Sequence, residues 1–135
     1  MAKQTNSVAD WRELADRDMA VAEYLAATMH PVPTAIIAFH CQQWVEKYLK
    51  GVLVFLGEEP PYIHDLNKLL ILAEKHRPSF GAITQLCTVI THFAVQPRYD
   101  RGLDITEADM QIVLRHARAI RDFLQKEVPE LFLTI

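Results

Sequence analysis

The residue types and spacing best suited to chemistry lie on one helical stretch, where Gln43, Lys47 and Lys50 are flanked by His40 and Glu46. At about 100° per residue the first three fall within about 60° of one another, so their side chains can converge on one ligand or one partner helix. Two lysines three residues apart suit a phosphate as point charges, and a glutamine adds a directional hydrogen bond. A structural role competes with this one. Glu46 and Lys50 stand four residues apart in the order that stabilises a helix by about 0.2–0.5 kcal/mol, and an ion pair or dimer face accounts for the same block.

Three further features carry charge. Asp18 falls inside the apolar line of the preceding helix, where a carboxylate is costly unless paired; Lys47 and Arg98 are the expected partners, in a structural role before a catalytic one. His64 and Asp65 open another helix, and either residue can cap it. A metal site built from His40, His64, Asp65 and Asp100 or Asp104 is the sharper alternative, weakened because the remaining histidines have no coherent ligand spacing. In Arg98-Tyr99-Asp100-Arg101, two arginines and a tyrosine are suited to gripping a phosphate and stacking a base, though arginines in loops are commonly just solvated.

The elements that position these residues are helical. Ser7 caps an expected helix of about Val8 to Met29 with Trp11, Ala15, Val21, Ala22 and Leu25 inward, ended by Pro31 and Pro33. A second runs from about Thr34 to Leu56 and stops at Gly57, ahead of Pro60-Pro61. Its apolar arc holds Ala38, Cys41, Trp44, Val45, Tyr48, Leu49, Val52 and Leu56; Gln42, Glu46, Lys50, Gln43, Lys47 and His40 fill the opposite arc. Helices of roughly His64 to Lys75 and Ser79 to Phe93 follow. Thr106 and Asp109 form a capping-box pattern that opens the last helix, which reaches about Glu127. The expected fold is all-α, an antiparallel bundle of four main helices plus one shorter helix in a single domain over residues 1–135. Its core spans about 8–127, and an apolar tail over 128–135 is expected to be left uncovered, favouring a two-fold dimer.

Composition narrows the partners. The chain has 135 residues, half of them hydrophobic, enough for one core. A net charge of −3 argues against broad nucleic-acid or anionic-membrane binding. Arg115, Arg118 and Arg121 on the last helix then suggest a solvated basic face. Cys41 and Cys87 have no second cysteine at metal spacing and suggest buried thiols in a reducing compartment. The N-terminus lacks the apolar run of a signal peptide, so a cytoplasmic location is expected.

The pattern of Phe39-His40, Gln42-Gln43, Glu46-Lys47, Leu49-Lys50, then His64-Asp65-Leu66, resembles the HEPN domain, a small helical module with proposed nucleotide binding. Ala15, Asp18, Ala22, Leu25 and Arg98-Tyr99 extend the resemblance from about Trp11 to Leu124. It implies a homodimer that binds a nucleotide or phosphate-bearing ligand through Gln43, Lys47, Lys50, His64, Arg98 and Tyr99. It also implies a separate minimal nucleotidyltransferase as partner, in a toxin–antitoxin-like pair, with Asp18 as the buried acid. Ribonuclease members carry an arginine followed by four to six residues and a histidine at the start of the final helix. Arg98 and Arg101 have no histidine at that distance and Arg115-His116 are adjacent, so no catalytic residues, metal or cofactor are expected, a nucleotide being the conceivable ligand. Asp100 stands where the family often has proline. The alternatives are an interaction and dimerisation protein without ligand, and a ribonuclease with an atypical site.

Overall fold

The computed structural model describes residues 6–94 and 105–133, which form five α-helices and two 3-10 helices with no strand among them. α1 spans Val8–Thr28, α2 Thr34–Phe55, α3 Leu66–His76, α4 Thr84–Ala94 and α5 Glu107–Glu127. The 3-10 helices cover Pro78–Ile83 and Pro129–Phe132. The expected fourth helix is thus split: Pro78-Ser79 begins a tight turn, and regular α-helix starts only at Thr84.

Local chemistry sets the ends. Ser7 and Thr106 each accept a hydrogen bond from the backbone N–H of an aspartate three residues on, and each aspartate reaches back to the cap residue's own N–H. Two orphan donors are satisfied at each helix start, and a carboxylate sits at its positive end. α2 stops through Gly57, whose φ of 86° is open to glycine and disfavoured for other residues. The Gly57 and Glu58 N–H groups then donate to the carbonyls of Val54 and Leu53, closing the last turn in a Schellman arrangement.

α2 is the central helix and packs against α1, α3, α4 and α5. Contacts along α1 and α2 pair Val8 and Trp11 with Gly51, Asp16 with Tyr48, and Asp18 with Lys47 and His40. Numbers rise on one helix as they fall on the other, so the two run antiparallel. Gly51 permits the approach, because a β-carbon there would stand 2.9 Å from Leu131 Cδ1 and 3.1 Å from Trp11 Cβ.

This crowding revises three expectations. Ala38, Cys41, Trp44, Val45, Tyr48, Leu49 and Val52 are fully buried as their arc requires, but so, nearly, are Gln42, Glu46 and Lys50 on the opposite arc, because α1 and the chain after Gly57 cover it. On α1, Val21 is 39% exposed rather than core, while Ala15, Asp18 and Ala22 face α2. The C-terminal segment is covered in part: Val128 and Leu131 are buried in the same core and Phe132 packs on the Tyr48 ring, while Leu133 is exposed and residues 134–135 lie outside the described residues. No helix among the described residues is long and apolar enough to cross a membrane.

Candidate ligand pocket

The chain turns back at Gly57, and the segment after it lies along the polar block of α2. Between them is a pocket of about 360 Å3. Its walls are Gln43, Glu46, Lys47 and Lys50 from α2, Trp11 from α1, and Glu59, Pro60, Pro61, Tyr62 and His64 from the segment after α2, with Asn6 beside them. Gln43, Lys47, Lys50 and His64, four of the residues singled out by sequence, therefore share one cavity. Arg98 and Tyr99 lie outside the described residues, as do Asp100, Arg101 and Asp104.

Two carboxylates hold the pocket's cations. Asp18, 8% exposed, accepts from Lys47 Nζ at 2.5 Å through one oxygen and meets His40 Nδ1 at 2.8 Å through the other. Lys47 is the expected partner; His40, an equal participant, is unexpected and comes to Asp18 through the packing of α1 on α2. Glu46, 3% exposed, is bound through Oε2 by Lys50 Nζ at 3.1 Å and by His64 Nδ1 at 2.9 Å. The Glu46–Lys50 pair has the spacing of an ordinary surface pair, yet its side chains are only 4% and 8% exposed. In such a setting, removing one partner costs far more than the few tenths typical of a solvated pair. Lys50 also lies 5.5 Å from the centre of the Trp11 ring.

A chain of amides orders the rest. Gln42 Nε2 donates to the His64 carbonyl at 2.9 Å, which fixes the amide's orientation, so its Oε1 must be the acceptor. Gln43 Nε2 donates to that Oε1 at 3.0 Å. Gln42 is thus a structural strut that pins the segment after α2, a role hidden in sequence by its place on the supposedly solvated arc.

His64 and Asp65 separate in function. Asp65 caps α3 by accepting from the Lys68 N–H at 3.1 Å, whereas His64 lies before the helix with its side chain 72% exposed at the pocket. Among the described residues no group of three or more His, Cys, Asp or Glu side chains is placed to hold a metal ion. His40 is engaged by Asp18 and Asp65 by α3, so these two do not meet as co-ligands.

The basic run on α5 is not simply a solvated face. Arg118 donates twice to Glu23 of α1, and Arg121 Nε donates to the Tyr48 hydroxyl at 3.2 Å, which itself donates to Asp16 at 2.5 Å. Burial pushes the Tyr48 hydroxyl well above its usual range, Asp16 adding to the shift and Arg121 opposing it. Arg115 is exposed and His116 half-buried. Burial also pushes the Cys41 and Cys87 thiols up to about 12, with Glu23 raising and Arg118 lowering the first.

The comparisons agree on one family. The family model described as HEPN domain matches residues 8–128. The crystal structure of an archaeal HEPN homologue superposes with a TM-score of 0.71 at 26% identity, covering 91% of this chain and 98% of that one. No curated protein matches the sequence. With nearly the whole chain matched by the family model and the same helical fold found in the archaeal homologue, this chain belongs to the HEPN domain family.

Proposed function

We propose that this HEPN domain is a non-catalytic module that binds a nucleotide or other phosphate-bearing ligand in the pocket between α2 and the segment after it. The observation that carries this is the convergence of Gln43, Lys47, Lys50 and His64 on one cavity that also contains Trp11 and Tyr62. A volume of about 360 Å3 is in the range of small-ligand pockets. Aromatic walls suit a nucleobase, and the Gln43 amide and the His64 imidazole supply polar groups that can orient a ligand against them. The domain acts as a homodimer beside a separate minimal nucleotidyltransferase, in a toxin–antitoxin-like pair within the cytoplasm. Tyr24, Ile36 and Phe39, each at least half exposed on the α1–α2 hairpin, are the apolar surface suited to such contacts.

Calorimetric titration of nucleotides into the purified protein is the test. Saturable one-site binding that weakens on His64→Ala is expected, and failure of every nucleotide to bind removes the proposal. In parallel, single-stranded and hairpin RNA should remain intact, because the arginine-to-histidine motif that moves the 2′-hydroxyl proton is missing from the sequence. Cleavage lost on His116→Ala would instead make the protein a ribonuclease.

A further inference from the structure

We infer that the pocket recognises the uncharged, base-bearing half of its ligand, a nucleoside moiety, and that attached phosphates contribute little to affinity. This rests on the binding role proposed above and narrows the ligand class for the same site. The pocket walls carry Lys47 and Lys50 against Glu46 and Glu59, so the lining is balanced. Neither lysine is a free cation. Lys47 Nζ is held at 2.5 Å by Asp18, and Lys50 Nζ at 3.1 Å by a Glu46 carboxylate that is itself almost fully buried. A phosphate dianion entering here meets two ion pairs already closed and one further carboxylate, Glu59, in the walls. Phosphate sites instead present unopposed cations or aligned backbone N–H groups.

The remaining surface fits a base. Trp11, Tyr62, Pro60 and Pro61 supply flat apolar walls, and Lys50 lies over the Trp11 ring rather than projecting as an isolated charge. The orientation of Gln43 is fixed by the amide chain running through Gln42 to the His64 carbonyl. Only one Gln43 N–H is used in that chain, so the amide retains a second N–H and its carbonyl oxygen. A donor and an acceptor on one amide match the paired donor and acceptor of a nucleobase edge, as a glutamine pairs with adenine. Glu59 adds a carboxylate acceptor for an exocyclic amine.

The test titrates four ribonucleosides, their 5′-monophosphates, ribose 5-phosphate and inorganic phosphate into the wild-type protein and into Gln43→Ala, at low and moderate salt. At least one nucleoside is expected to bind within about tenfold of its monophosphate, with little salt dependence, while ribose 5-phosphate and inorganic phosphate do not bind. Gln43→Ala, with an unchanged melting curve, should weaken the nucleoside about tenfold. Binding of monophosphates, ribose 5-phosphate or inorganic phosphate without binding of any nucleoside overturns the inference but leaves the phosphate-ligand role standing. Binding of nothing in the panel overturns both.

Discussion

At the scale of single residues, Lys47 separates a stability role from a binding role. It is one of two groups on Asp18, and with its side chain 23% exposed and that of Asp18 11% exposed, the pair is neither fully buried nor solvated. Lys47→Ala leaves His40 in place as the second partner. The loss should therefore be about 1.5–3 kcal/mol, the range for a hydrogen bond to a charged group, below the roughly 3–5 kcal/mol of a wholly orphaned buried charge. Urea unfolding measures it; an unchanged midpoint would mean that Asp18 does not depend on this lysine. The thiols make a second, independent case. Cys41 and Cys87 are fully buried with ionisation pushed to about 12, so neither is a nucleophile at neutral pH. A thiol reagent at pH 7.5 should label no cysteine until denaturant is added. Their linkage has a definite sign. The folded thiol ionises at higher pH than the unfolded one, so their contribution to stability is complete below the ordinary thiol range of about 8.5 and is lost as pH climbs toward about 12.

At the scale of elements, the α1–α2 contact turns on Gly51. Replacing a helical glycine with alanine normally gains about 0.5–1 kcal/mol. Here the added methyl would press on Trp11 Cβ at 3.1 Å, an atom fixed to the α1 backbone and unable to swing aside as Leu131 Cδ1 can. Overpacking costs about 1–3 kcal/mol, which outweighs the gain, so Gly51→Ala should melt earlier than wild type. A higher melting temperature would show that α1 is free to shift. The same helix pair marks where sequence is informative. The caps at Ser7, Asp65 and Thr106 are legible because three or four adjacent residues decide each one. The apolar arc of α2 is legible because helical periodicity tells which residues share a face. Periodicity does not tell what covers a face. Gln42, Glu46 and Lys50 look solvated until the chain after Gly57 folds over them, and that return depends on long-range packing. The Asp18–His40 and Tyr48–Arg121 contacts are hidden for the same reason. The convergence of Gln43, Lys47 and Lys50, by contrast, follows from spacing alone, and His64 joins them through its bond to Glu46.

At the scale of the whole molecule, the position of Leu131 changes what a dimer must rest on. An apolar C-terminal end suggests a patch awaiting a second copy, but Leu131 is 1% exposed within its own bundle, closing the end of the α1–α2 contact beside Gly51. Leu131→Ala should therefore act on folding, costing about 2–5 kcal/mol as buried leucine truncations do, without changing the oligomeric state. Exposed apolar side chains also gather on the α1–α2 hairpin. The antiparallel register that sets Asp18 beside Lys47 and Asp16 beside Tyr48 places Tyr24 of α1 near the level of Phe39 of α2, and they are 67% and 50% exposed. Ile36, 52% exposed, lies one turn from Phe39 on the same helix. A two-fold contact through this hairpin would bury the same side chains twice, once from each protomer, which is how a small patch becomes an adequate interface. Light scattering at tens of micromolar, on the order needed to populate a stable interface, should give twice the mass of the 135-residue chain. Phe39→Glu should return it to the monomer mass with helicity intact, since its side chain leaves the core undisturbed. A dimer indifferent to Phe39→Glu would move the interface off this hairpin, and a monomer in the wild type would remove the dimer altogether.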